Sequence, residues 1–114
     1  MKFRNLIAVL FLAITLSMMV SCGEPKVPLT EDQIVYAGVW EAPGDLMIKI
    51  SADGGGDFKL SNTNVSGGNV VFNDTGFVIG LFGIEENFNV EQAPEEVDGV
   101  TSMVVNGITF TKAR

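Results

Sequence analysis

Val100-Thr-Ser-Met-Val-Val-Asn106-Gly107-Ile-Thr-Phe-Thr-Lys112 is two short alternating runs around Asn-Gly. That dipeptide is the strongest short-range hairpin signal, because a type I′ turn needs positive φ at both central positions. A two-residue loop sets Val105 opposite Ile108 and Met103 opposite Phe110 on one face. The other face then pairs Val104 with Thr109 and Ser102 with Thr111. Register and hydrophobicity agree, and a slip of one residue would turn the whole apolar set towards solvent.

The same period of two recurs upstream. Val39 to Glu41 reads as a first strand, and Leu46, Ile48 and Ile50 alternate with Met47 and Lys49. Phe58 and Leu60 alternate with Asp57 and Lys59, and further runs cover Asn69 to Asn73, Phe77 to Phe82 and Asn87 to Glu91. Such runs, bounded by Gly, Asn and Asp, are half-buried strands. Ala52 to Gly56 and Asp74-Thr75-Gly76 supply turns, and Ala93-Pro94 reads as a further turn opening a loop to Gly99. Eight strands with short connections predict an all-β fold, either a small antiparallel eight-stranded up-and-down barrel or a compact β-sandwich. The barrel is preferred because it leaves no edges. An eight-stranded barrel is only just wide enough for side chains or one small ligand. Phe58, Phe72, Phe88 and Phe110 are expected to point inward, so the interior is expected to be filled.

The chain begins with Lys2 and Arg4, a fifteen-residue apolar run from Leu6 to Val20, and Ser21-Cys22. A charged start, an apolar core of this length and a small residue before the cut describe a secretory signal. The run is shorter than the roughly 20 residues of a membrane span and lacks a basic stop after it. Met19-Val20-Ser21-Cys22 resembles the lipobox of bacterial lipoproteins. The resemblance implies cleavage before Cys22, acylation of Cys22 with palmitate-type chains and attachment to the cell envelope. Gly23 stands where the inner-membrane members of the enterobacterial family carry aspartate, which leans towards the outer membrane. The expected organisation is a signal peptide (1–21), a lipidated tether (22–35) and the β-barrel domain (36–114). Within the tether, Thr30-Glu31-Asp32-Gln33 has capping-box spacing, and the alternatives are one helical turn or an extended linker.

Composition narrows the function further. Cleavage removes Lys2 and Arg4 but no acidic residue, leaving five basic and fourteen acidic residues and a formal charge of −9. Such a surface repels phosphate backbones, so no nucleic-acid partner is expected. The chain has no histidine and one cysteine. The commonest general base, the commonest metal ligand and, once Cys22 is acylated, any free thiol are all missing. No catalytic residue, metal site or cofactor is expected. The acidic residues Glu85, Glu86, Glu91, Glu95, Glu96 and Asp98 read as a solvated rim, and Asp53 to Asp57 as a hairpin turn.

Gly38-Val39-Trp40 resembles the Gly-x-Trp signature of lipocalins and their barrel relatives. That resemblance implies a lipocalin-like barrel in which Trp40 closes one end as a packing residue, although lipocalins are nearly twice this long. Gly76 to Ile84 does not alternate and is apolar on both faces. A strand of that kind is covered on both sides or presents a patch, here Val78, Leu81, Phe82 and Ile84. The expected function is a non-enzymatic binding or envelope-interaction module, membrane-attached through its lipid and meeting an envelope protein. The alternative is a carrier of a small apolar ligand inside the barrel.

Overall fold

The structure is a computed structural model that describes residues 26 to 113. The signal peptide, the lipobox and Cys22 lie outside the described residues. Eight strands follow one another: β1 (Gly38–Ala42), β2 (Leu46–Ile50), β3 (Gly55–Lys59), β4 (Asn64–Phe72), β5 (Gly76–Leu81), β6 (Ile84–Val97), β7 (Val100–Val105) and β8 (Ile108–Lys112). Each pairs antiparallel with its sequence neighbour, and β8 returns to β1 through Trp40 with Lys112 and Glu41 with Thr111. This is a closed up-and-down barrel, and closure rules out the sandwich.

The β7–β8 hairpin has the register expected from its sequence, Ser102 with Thr111 through Val105 with Ile108. Asn106 and Gly107 take φ of 51° and 76°, the left-handed pair that a type I′ turn needs. Asn106 also does what the turn motif does not announce. Its backbone N–H donates to the Asn89 carbonyl (2.9 Å), its Oδ1 accepts from the Asn89 N–H (2.9 Å) and its Nδ2 donates to the Asn87 carbonyl (3.2 Å). The Gly107 N–H donates to the Glu91 carboxylate. The turn thus occupies the edge of β6 where β7 has not yet begun to pair, since β7 meets β6 only from Val90 onward.

Two expectations about strand limits fail. Ala93-Pro94 is not a turn, and no loop runs from Ala93 to Gly99; β6 continues to Val97 and only Asp98-Gly99 turns. Proline is tolerated because β6 pairs with β5 over Ile84 to Asn89 and with β7 over Val90 to Val97, with register shifts around Glu91 and Ala93-Pro94. The second half is an edge, where a missing N–H costs no ladder bond, and its Pro94 and glutamates discourage strand addition. β4 likewise begins at Asn64, not Asn69, because Ser66 and Gly67 form a bulge opposite Asp57 that the strand passes through. The Asp57 carboxylate accepts from the Gly67 N–H at 2.7 Å and closes that gap.

Inward positions form one core: Trp40, Ile48, Ile50, Phe58, Val65, Val70, Phe77, Ile79, Phe88, Met103, Val105 and Phe110 are all buried. Of the phenylalanines expected inside, Phe58, Phe88 and Phe110 are buried, while Phe72 packs half-buried at one end. Phe77 is fully buried and stacks on Phe88 at 5.1 Å.

The segment before β1 lies against the barrel. Thr30 N–H donates to the Gln33 side chain (3.1 Å), which is half of a capping box, and a 3-10 turn follows at Ile34–Tyr36. Leu29 N–H donates to the Ala52 carbonyl (3.0 Å), and the Val27 backbone passes so close to Gly54 that a Cβ there would collide with it. The chain therefore enters beside the β2–β3 turn. With alternating strands, this entry end also carries the β4–β5 and β6–β7 turns, and the far end carries the β1–β2, β3–β4, β5–β6 and β7–β8 turns.

Asn106→Gly keeps the left-handed turn and removes both side-chain bonds to β6. At about 0.5–1.5 kcal/mol per bond, urea unfolding is expected to show a loss of about 1–3 kcal/mol.

Candidate functional site

At the entry end, Trp40 is fully buried and its indole N–H donates to the Tyr36 carbonyl at 2.9 Å. A buried indole needs such a partner. The 3-10 turn provides it and lies over the barrel mouth, with the Tyr36 ring 5.2 Å from Phe72 and 6.1 Å from Phe77. The Lys112 ammonium sits 5.8 Å from the Trp40 ring on the closing seam, within cation–π range. Trp40 is a packing residue here. Burial pushes the Tyr36 phenol above its ordinary value of 10.0.

Among the described residues no buried side chain is polar or charged, and no three metal-ligating side chains converge. Glu91, Glu95, Glu96 and Asp98 are all exposed, as a solvated rim requires.

At the far end the β5–β6 hairpin is different. Strand parity places Phe77 and Ile79 inside, and Leu81, next on that face, packs partly buried against the core. Leu81 is thus half-buried, although it also borders the surface depression at this end. Val78 faces outward, half-buried, beside Val71, which is its cross-strand partner and 61% exposed. Ile84 is 53% exposed, and Phe82 is 85% exposed. Val71 was missed in the sequence, although Val70-Val71-Phe72 shows the same two-faced apolarity as β5.

Phe82 and Gly83 form the two-residue turn with φ of 49° and 83°. The comparable turns use Gly44-Asp45, Asp98-Gly99 and Asn106-Gly107, the residues that such a conformation favours. A phenylalanine there carries a left-handed penalty of about 1–2 kcal/mol and buries almost nothing in return. Neither folding nor turn chemistry accounts for it, and strain of this kind collects at functional positions. Beside Phe82, the outer face of β4 and β5 has a depression of about 260 Å³ bordered by Asn69, Val71, Val78, Gly80, Leu81, Gly83 and Glu85. The glycines leave it open.

No protein-family model matches the chain, and no curated protein or solved structure is significantly similar to it.

Two outcomes test these placements. Below about pH 10 the partly buried Tyr36 contributes its full stability; above that, the unfolded chain loses its phenolic proton first and stability falls until the folded phenol also ionises. Tyr36→Phe is expected to flatten that alkaline decline in unfolding curves taken between pH 9 and 12. Phe82→Asn is expected to leave the fold intact and raise stability by up to about 1 kcal/mol in thermal or urea melts, because it relieves the turn without emptying the core.

Proposed function

We propose that this chain is a lipid-anchored bacterial envelope protein whose barrel is a non-enzymatic interaction module, with the β5–β6 tip as its contact surface. The observation that carries this reading is Phe82: a large aromatic side chain held 85% exposed, in a left-handed conformation, at the tip of a hairpin. Aromatic anchors that fill a partner's pocket supply most of the energy of many interfaces. Val71, Val78 and Ile84 extend the apolar surface around it.

The lipobox-like Met19-Val20-Ser21-Cys22 supports attachment through acylated Cys22, and Gly23 supports the outer rather than the inner membrane. More than one acyl chain is needed for durable attachment, at about 0.8 kcal/mol per buried methylene. The alternative, a lipocalin-like carrier of an apolar ligand, draws on the 3-10 turn and Trp40 at the barrel mouth. The packed aromatic interior favours interaction over carriage, because a carrier needs a cavity of a few hundred Å³.

The test is a photo-crosslinking amino acid placed at position 82 in the full chain, expressed in its own host, with position 98 at the entry end as control. A discrete adduct from position 82 and none from position 98 is expected. No adduct from position 82 would remove the tip as a contact surface. In the same cells Cys22→Ser is expected to abolish palmitate labelling and release the protein from membranes; unchanged retention would point to an uncleaved anchor.

A further inference from the structure

The charge around the tip says what kind of partner suits it. The first residues after the turn on β6 are Ile84, Glu85 and Glu86, with Glu85 exposed and Glu86 half-buried. Glu85 lies over Gly80, whose missing side chain makes room for it; a Cβ there would stand 3.1 Å from the glutamate Cγ. One carboxylate therefore borders the apolar depression directly; Glu86 is on the opposite face of β6, paired with Ile79, and stays half-buried near the same end of the barrel. Of the four lysines among the described residues, Lys26 and Lys112 belong to the entry end and Lys49 to the middle of β2; Lys59, at the end of β3, is two strands away from β5. The local field at the tip is negative, within a chain whose part after Cys22 carries an excess of acidic residues.

Resting on the reading of the β5–β6 tip as a contact surface, we infer that its partner is a basic protein surface. That surface offers an apolar slot to Phe82 and a lysine- or arginine-bearing rim to Glu85, with Glu86 adding to the negative field from the other face of β6. Three observations favour this occupant over the others. A second copy brought tip to tip would set Glu85 against its own duplicate, and like charges juxtaposed across an interface cost several kcal/mol. An anionic lipid surface is repelled by the same carboxylates. The tip also lies at the far end of the barrel, opposite the place where the chain enters from Cys22, so it faces away from any membrane that holds the N-terminus.

Complementary charge acts mainly on encounter. Association is faster at low salt and loses that advantage as ions screen the rim, whereas the apolar anchor governs dissociation. This division separates a charged docking surface from a merely sticky one.

The experiment uses the full chain in nanodiscs of zwitterionic phosphatidylcholine, with empty discs subtracted, and two soluble probes. One is an amphipathic peptide of alternating leucine and lysine blocks, and the other has glutamate at every lysine position. Expected is saturable binding of the lysine peptide alone, with an association rate that falls about tenfold between 0.05 and 0.3 M salt. Phe82→Ser is expected to speed dissociation, and the pair Glu85→Gln with Glu86→Gln to slow association about tenfold. Glu95→Gln with Glu96→Gln, the same change of charge on the second half of β6, should change it less than threefold. Equal losses from both glutamate pairs would reduce the effect to general attraction by an acidic protein and overturn the inference. So would preference for the glutamate peptide. A crosslink from position 82 to a second copy or to an acidic protein would overturn the basic partner while leaving the tip as the contact surface. Absence of any crosslink there would instead remove the reading on which the inference rests.

Discussion

The seam between β8 and β1 is short, and the rest of the barrel depends on it. Two residue pairs and the Ala113 N–H to Val39 carbonyl bond (2.8 Å) join the first strand to the last. Without that seam the molecule would be an open sheet with two unpaired edges and half its core in water. Trp40 lies at this point. Its ring is buried, its N–H is spent on the Tyr36 carbonyl, and Lys112 covers it from the partner strand. One residue thus ties together the closing seam, the turn that covers the mouth and the packed interior.

A barrel of this width must be solid if its inward residues are large, and here they are. Phe58, Phe77 and Phe88 meet one another across the interior, and Phe72 and Tyr36 complete the aromatic row at the entry end. Such packing stabilises a small domain that has no disulfide to rely on. What distinguishes the outside is the far-end hairpin, where a turn that elsewhere in this chain uses Asp, Asn or Gly has phenylalanine in its place.

The alternating runs were legible because their periodicity survives in the primary sequence, and the Asn106-Gly107 hairpin was legible down to its register. Proline and glycine were read too literally. Pro94 appeared as a turn and the run at Asn69 as a strand start, yet Pro94 and Gly67 each sit at a bulge that the strand passes through. Whether a proline ends a strand depends on whether its N–H is needed, and that depends on which neighbours flank it. Similarly, Asn106 was visible as a turn residue but not as the side chain that completes the edge of β6, because Asn87 and Asn89 are brought to it only by the stagger of the barrel.

The apolar stretch from Gly76 to Ile84 marks the division most clearly. Local sequence determined that it is a strand and that both its faces are apolar. Only the closed barrel decided which side chains go inside: parity and closure commit Phe77 and Ile79 to the core with Leu81 partly buried above them, leave Val78 outside with Val71, and expose Phe82 and Ile84 only because they lie at the hairpin end. The physical reason is that alternation along one strand defines two faces, but which face is buried is set by the curvature of the sheet and by neighbours distant in sequence.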